Sequence, residues 1–162
     1  MRPGNSIAGK IVNEKELFQK LNVWRLLSKT IAFTNGCFDI LHGGHIASLT
    51  QAAQCADILI VGVNTDSSVK NIKGENRPVN DEKSRMLLLA SLAMVDAVII
   101  FSEETPLELI KKIEPDVLVK GGDYSVEQVA GAKEVISRGG KVILNPIVDG
   151  FSTTSIIQKI KT

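Results

Sequence analysis

The sequence of 162 residues predicts an α/β protein with a single domain built on a doubly wound sheet of five parallel strands. Two observations support this fold class. Short apolar segments alternate along the chain with segments of helical periodicity. The apolar segments are also hydrophobic throughout, which is typical of strands that helices cover on both faces of a parallel sheet. A sheet of this kind is Rossmann-like.

The five strands are predicted from β-branched and apolar runs that end at turn residues. They cover residues 31–34, 58–63, 97–101, 117–119 and 141–144. Helices are predicted between them from apolar spacing and from start and stop signals such as Thr105-Pro106 and Gly139-Gly140. They cover residues 45–55, 81–93, 105–113, 128–137 and 153–160. A further helix around residues 14–21 makes residues 1–29 a helical lead-in to the domain at residues 30–162.

Right-handed crossovers favour the strand order 3-2-1-4-5, with a switch point between the first and fourth predicted strands. Ligands of such sheets bind in the crevice beyond the carboxyl ends of the strands at that point. Three loops should therefore meet at a site, namely residues 35–45, 120–124 and 146–152.

Composition excludes several classes of partner. The formal net charge is only +1, so the chain is not expected to have the positive electrostatic field that attracts a nucleic acid. The longest apolar runs are far shorter than the ~20 residues of a membrane span, and the N-terminus has no apolar run typical of a signal peptide. Two cysteines without metal spacing indicate a reducing, cytoplasmic setting.

The first loop contains both histidines of the chain, as His42-Gly43-Gly44-His45 at the predicted start of a helix. Glycines let a backbone approach a ligand, and a helix N-terminus favours phosphate. Two imidazoles there can donate hydrogen bonds to phosphoryl oxygens. The alternatives are that His42 only caps the helix while His45 is solvated, or that the pair binds zinc, for which further ligands are scarce.

Two more clusters lie in the other loops. Lys120-Gly121-Gly122-Asp123-Tyr124 could hold phosphate and ribose, or form an ordinary turn with a solvated lysine. Ser152-Thr153-Thr154-Ser155 could bind phosphate at a helix start, although a plain N-cap needs only one hydroxyl. The basic segment, residues 71–85 with Lys70 just before it, could cover a triphosphate or could be a solvated surface.

These motifs resemble a known family. Residues 34–45, TNGCFDILHGGH, resemble the first signature of the cytidylyltransferase-like nucleotidyltransferases, and residues 151–156, FSTTSI, resemble their second signature. Within that superfamily, residues 73–80, 118–124 and 149–154 look like the adenylyltransferase domains of bacterial ADP-heptose synthesis enzymes. Cys37 and Ile157 stand where glycerol-3-phosphate cytidylyltransferases usually have Thr and Arg, which weakens the glycerol interpretation.

The resemblance implies transfer of AMP from ATP to D-glycero-β-D-manno-heptose 1-phosphate, and a homodimer. Mg²⁺ is expected to bridge oxygens of the triphosphate with few protein ligands, because it readily keeps its waters, and no residue is assigned as its ligand. The resemblance also implies catalytic roles for His42, His45, Lys73 and Lys70. Nucleotide contacts are expected from Asn35, Gly36, Phe38, Gly44, Lys120, Gly121, Asp123, Ser152, Thr153 and Thr154. Substrate contacts are expected from Asp39, whose alternative role is to cap its loop, and from Asn64 and Arg85.

Other functions stay open on the sequence. Glycerol 3-phosphate with CTP, or an FMN-type acceptor with ATP, would use the same chemistry. A nucleotide-binding module without activity is a different class, because fold does not fix function. A dinucleotide-dependent oxidoreductase is set aside, because no Gly-x-Gly-x-x-Gly follows the first predicted strand.

Overall fold

A computed structural model describes residues 7–122, 124–146 and 152–161. Within these residues, six strands form one sheet in the order β1-β4-β3-β2-β5-β6, and all neighbouring strands are parallel. The strands are β1 (Ile11–Val12), β2 (Ile31–Gly36), β3 (Ile58–Asn64), β4 (Ala97–Phe101), β5 (Val117–Gly121) and β6 (Lys141–Asn145).

The predicted α/β class and parallel sheet are confirmed, and the five predicted strands lie in the predicted order. The predicted number of strands is wrong, because β1 adds a sixth strand at the edge of the sheet. Ile11 pairs with Val98 and Val12 with Ile99. A strand of two residues has no periodicity of its own to read, and its partner lies far away in the sequence.

Helices connect the strands and cover the sheet. They are α1 (Ile7–Lys10), α2 (Glu14–Leu26), α3 (Gly43–Ala53), α4 (Asp66–Lys73), α5 (Glu82–Ala90), α6 (Leu107–Ile113), α7 (Ala132–Ser137) and α8 (Thr153–Lys161). Helix α4 is missing from the helices predicted from the sequence. The Thr65 side chain caps it by accepting a hydrogen bond from the backbone N–H of Ser68 at 3.2 Å, while Val69 is buried.

The predicted helix at residues 128–137 is interrupted. A 3₁₀ turn covers Val126–Gln128, and α7 begins only after Gly131. Gly131 has φ +85°, and a Cβ on it would lie 2.6 Å from Cδ1 of Ile110. Both the backbone conformation and the close packing therefore require glycine at this position. Its positive φ separates the 3₁₀ turn from α7.

Two apolar layers lie on the two faces of the sheet. One contains Phe33 and Ile99 from the strands with Leu17 and Leu21 of α2. The other contains Val61 and Val98 with residues of α3 and α5. Burying a side chain of this size stabilises the fold by about 1.5–3 kcal/mol. Since α2 and β1 pack on this sheet, residues 11–26 contribute to the same core, and the domain start at residue 30 stays a prediction.

No helix in the described ranges is long and apolar enough to cross a bilayer.

Candidate active site

A cleft of about 570 Å³ opens at the carboxyl ends of β2, β3 and β5, where the topology predicts a ligand site. Most of the predicted site residues line it. They are Asn35, Gly36, Phe38, Asp39, His42, His45, Asn64, Lys73, Lys120, Gly121, Ser152, Thr153 and Thr154. Gly44, Lys70 and Arg85 are not among the lining residues, and Asp123 lies outside the described residues.

The two histidines stand at the N-terminus of α3. His42 is the N-cap, and its carbonyl accepts a hydrogen bond from the backbone N–H of His45 at 2.9 Å. The two rings are stacked, with centroids 3.8 Å apart and planes 20° apart, and the edge of Phe38 packs against His45. Both imidazoles therefore face the cleft beside the free N–H groups of a helix start.

The protonation of this pair follows from its burial. Burial lowers the pKa of His45 to about 4, and the neighbouring His42 adds to the effect. Burial also lowers the pKa of His42. Near pH 7 both rings are neutral, so each has one N–H to donate. The Nδ1 atom of His45 is buried and has no hydrogen-bond partner among the described residues.

Lys120 extends from the end of β5 into the same cleft. Its ammonium donates to Oδ1 of Asn35 at 3.4 Å and lies 5.8 Å from the centre of the Tyr124 ring. Burial lowers the pKa of Lys120, and nearby Lys73 lowers it further. At Gly121 a Cβ would lie 3.2 Å from the hydroxyl of Ser48, so this strand end packs closely on α3.

The Ser/Thr turn completes this side of the cleft. Ser152 accepts a hydrogen bond from the backbone N–H of Ser155 at 3.3 Å and so caps α8. The Thr153 hydroxyl donates to the carbonyl of Ile40 at 3.4 Å. This hydrogen bond connects the turn to the histidine loop, residues 35–45. Thr154 is exposed and lines the cleft. Phe151, which belongs to the same signature, lies outside the described residues.

The carboxylate of Asp39 is buried, with 2% exposure, and its two oxygens are used inside the protein. It accepts hydrogen bonds from Nε of Arg77 at 2.5 Å and from the backbone N–H groups of Val79 and Asn80 at 2.7 and 2.9 Å. This geometry favours positioning of the basic segment, and contact of Asp39 with a substrate stays a prediction.

Arg85 is also enclosed, with no exposed surface. Its guanidinium donates to the carbonyls of Asn80, Cys37 and Asn64 at 3.1, 2.6 and 2.8 Å. It also pairs with Asp66 at 2.8 Å. These contacts join the histidine loop, the end of β3 and the basic segment, and they turn Arg85 away from the cleft. A direct contact with substrate stays a prediction.

The two lysines of the predicted pair differ in position. Lys73, in the last turn of α4, lines the cleft. Lys70 points away and forms an exposed ion pair with Glu75 at 2.5 Å. Asn64 is 3% exposed, and its amide N–H donates to the hydroxyl of Ser68 at 3.0 Å.

Sequence reasoning assigned no role in the site to several residues that line the cleft, although Cys37, Arg77 and Tyr124 lie within the motifs described above. They are Thr34, Cys37, Ser48, Leu49, Ile72, Arg77, Glu104 and Tyr124. Glu104 could have been found, because it follows the third predicted strand at the same edge of the sheet. Cys37 stands within the first signature, and burial raises the pKa of its thiol despite the nearby cations, Lys73 foremost.

The cytidylyltransferase-like family model matches residues 33–159, most of the chain and all of the site described above. The chain belongs to this family. As a cytidylyltransferase-like protein it is a nucleotidyltransferase and takes a nucleoside triphosphate as substrate, which confirms the enzyme class predicted from the two signatures.

Several proteins named "bifunctional protein HldE" are similar to this family member. The one from Nitrobacter hamburgensis is 54% identical over 144 residues, which are 89% of this chain and 29% of the relative. The one from Koribacter versatilis is 53% identical over 150 residues, 93% of this chain and 31% of the relative. The chain therefore spans less than a third of the length of these relatives.

Solved structures agree on the fold. The lipopolysaccharide core biosynthesis protein from Thermoplasma volcanium superposes with a TM-score of 0.60 at 29% identity, over 74% of this chain and 97% of that one. A pantoate-β-alanine ligase from Francisella tularensis superposes with a TM-score of 0.59 at 18% identity, over 93% of this chain and 76% of that one. At that identity the second likeness concerns the fold alone.

Proposed function

We propose that this chain transfers AMP from ATP to D-glycero-β-D-manno-heptose 1-phosphate, giving ADP-heptose and pyrophosphate. The observation that carries the proposal is the pair of stacked imidazoles at the start of α3, with Lys73 and Lys120 lining the same cleft. The heptose acceptor is supported by the sequence strings described above and by the similarity to proteins named HldE.

The reaction requires little covalent work from the protein. An oxygen of the sugar phosphate attacks the α-phosphorus of ATP in line, the bond to the β-phosphate oxygen breaks, and pyrophosphate leaves. The attacking phosphate is already ionised at pH 7, so no general base is needed. Catalysis then depends on positioning and on stabilising the charge that develops on the phosphates.

Each side chain has a proposed role. His42 and His45 donate N–H hydrogen bonds to oxygens of the α-phosphate and the leaving group. Lys73 supplies positive charge from the basic segment, and we assign it this role ahead of Lys70, which Glu75 holds at the surface. Lys120 and the hydroxyls of 152–154 bind the nucleotide. Asp39 and Arg85 act by positioning, as their buried contacts suggest.

Magnesium is the remaining component of the proposed reaction. Among the residues that the structure describes, no three His, Cys, Asp or Glu side chains cluster as a metal site. Mg²⁺ retains several waters and readily binds phosphate oxygens, so we propose that it enters with the triphosphate and neutralises its charge there.

The proposal extends to a homodimer in the cytoplasm. The family resemblance suggests the dimer, and the two cysteines, which are free thiols, fit a reducing compartment. Light scattering during size-exclusion chromatography measures the mass directly, and a monomer across a wide concentration range would contradict the dimer.

The central test is pyrophosphate release with ATP, Mg²⁺ and heptose 1-phosphate, measured beside CTP with glycerol 3-phosphate and ATP with FMN. Release only with the first pair is expected. Release with another pair would support nucleotidyl transfer but contradict the proposed substrates.

His45→Ala should lower turnover by about 10²–10³-fold, the usual effect of losing one transition-state donor. Turnover within about threefold of the parent would remove His45 from the mechanism.

A further inference from the structure

Glu104 places an exposed carboxylate at the cleft. It follows β4 in the chain and lines the cleft. Within residues 7–122, 124–146 and 152–161 it has no hydrogen-bond or ion-pair partner. Its neighbour Glu103 differs, because that carboxylate accepts a hydrogen bond from the backbone N–H of Ser102 at 3.0 Å and faces a separate hollow.

The backbone before Glu104 is held beside Asn64 by a chain of hydrogen bonds. The amide N–H of Asn64 donates to the hydroxyl of Ser68 at 3.0 Å, and that hydroxyl donates to the carbonyl of Glu103 at 3.3 Å. The backbone N–H of Thr65 donates to the carbonyl of Phe101 at 3.0 Å. The ends of β3 and β4 are thereby joined, so the Glu104 side chain starts from an anchored position.

The same series of hydrogen bonds determines which atom of the Asn64 side chain is available to a ligand. Because its amide nitrogen donates to Ser68, its Oδ1 is the atom that it offers as an acceptor, and the thiol of Cys37, which also lines the cleft, donates to this oxygen at 4.0 Å. Asn64 and Glu104, at the ends of the neighbouring strands β3 and β4, therefore offer hydrogen-bond acceptors to the cleft. The histidines, Lys120 and the Ser/Thr turn, which lie at or after the ends of β2, β5 and β6, offer donors, which suit phosphate oxygens.

Acceptor oxygens suit the hydroxyl groups of a sugar and disfavour a second anion. We propose that Glu104 is a specificity-determining residue, which accepts hydrogen bonds from hydroxyls of the sugar phosphate and excludes acceptors that carry a further negative group at that end. This inference rests on the proposed function, since it assigns the polyhydroxylated end of the acceptor to the ends of β3 and β4.

Two variants of Glu104 separate hydrogen bonding to the sugar from repulsion of a second negative group. The same substitutions at Glu103 provide the matched controls. Glu104→Ala removes the acceptor atoms and should raise the KM for heptose 1-phosphate about tenfold, as expected for a hydrogen bond to a charged group at a partly exposed site. The KM for ATP should stay within about twofold. Glu104→Gln keeps an acceptor oxygen and removes the charge, so its KM for heptose 1-phosphate should rise less.

The charge effect is measured with a sugar bisphosphate, the same sugar 1-phosphate with a second phosphate on its terminal hydroxyl. For Glu104→Gln, kcat/KM for this compound relative to heptose 1-phosphate should increase about fivefold at low ionic strength, and the increase should shrink as salt screens the charge. Glu103→Ala and Glu103→Gln should match the parent in every one of these measurements.

The outcomes distinguish the inference from the proposed function. If the parent reacts with heptose 1-phosphate but Glu104→Ala behaves like Glu103→Ala, the inference is wrong and the proposed function stands. If Glu104→Ala raises the KM for ATP instead, the carboxylate serves the nucleotide or its Mg²⁺, and the inference is also wrong. A parent chain that releases no pyrophosphate with any acceptor overturns both.

Discussion

Replacing Asp39 with Ala should lower the free energy of unfolding by about 3 kcal/mol. The carboxylate is 2% exposed and accepts three hydrogen bonds, from the Arg77 side chain and from two backbone N–H groups. Loss of one partner from a buried ion pair costs about 3–5 kcal/mol. Each unsatisfied N–H adds about 1–3 kcal/mol when it stays buried. The lower end of the ion-pair range, about 3 kcal/mol, applies to the total loss, because Arg77 is 16% exposed and water can reach the segment.

Urea unfolding measures this loss. With an m-value of about 2 kcal/mol/M, the midpoint should fall by about 1.5 M. Asp57→Ala is the matched control, because Asp57 also accepts three hydrogen bonds, from the N–H and hydroxyl of Thr30 and from Lys29, but is exposed to solvent. Its midpoint should shift much less.

A double-mutant cycle isolates the ion pair. Arg77→Met in the parent and in Asp39→Asn should reveal a coupling free energy of about 1–3 kcal/mol. If Asp39→Ala unfolds at the same urea concentration as the parent, or no further from it than Asp57→Ala, then burial does not strengthen these contacts and the positioning role of Asp39 is refuted.

Three further predictions concern other parts of the site and the core. Since burial lowers the pKa of His45 from 6.5 to about 4, its neutral form stabilises the fold above pH 6.5. That contribution should be lost as the pH falls from 6.5 towards 4. After allowance for screening of a partly exposed group it amounts to about 1–2 kcal/mol, and urea unfolding of His45→Gln should show a flatter pH profile. Lys73→Ala should reduce kcat at least tenfold more than Lys70→Ala in the pyrophosphate assay, since only Lys73 lines the cleft, and equal effects would contradict that distinction. Gly62→Ala should destabilise the fold by about 1–3 kcal/mol in urea, because its Cβ would lie 2.8 Å from the tip of the buried Phe33 ring, and an unchanged midpoint would show that the ring can move aside.

Much of the fold could be predicted because the buried strands are continuous apolar runs. Residues 58–63 and 97–101 have few other interpretations, and right-handed connections then favour the order 3-2-1-4-5 for the five strands. Helix α4 could not be found in this way, because much of its surface is polar. Its start is held by the hydrogen bond from Ser68 to Thr65 and by one from the backbone N–H of Asp66 to the carboxylate of Glu82, a contact between distant residues. Strand β1 depends on pairing with a strand more than eighty residues away.

For the site, topology predicted which loops meet but not how each side chain is used. Asp39 and Arg85 are polar residues near the crevice, and on sequence alone they resemble ligands for a substrate. The structure shows that their hydrogen-bonding groups are occupied within the protein. Whether a buried charge faces a ligand or its own backbone depends on three-dimensional contacts, which spacing in the sequence does not record. Glu104 shows the converse, because it lies in a plain loop and its carboxylate lines the cleft without a hydrogen-bond or ion-pair partner in the part of the chain that the structure describes.

The short strand β1 also limits association between copies of this chain, because it covers part of the sheet edge. A bare sheet edge is a row of open N–H and C=O groups on which a strand from another molecule can pair. At β4 that row is partly occupied by Ile11 and Val12, and Lys10 donates to the carbonyl of Leu92 nearby at 3.0 Å. A chain shortened to begin at residue 30 would uncover this edge together with the apolar surface under Leu17 and Leu21. Such a chain would be prone to associate edge to edge, so the N-terminal segment preserves solubility as well as adding to the core.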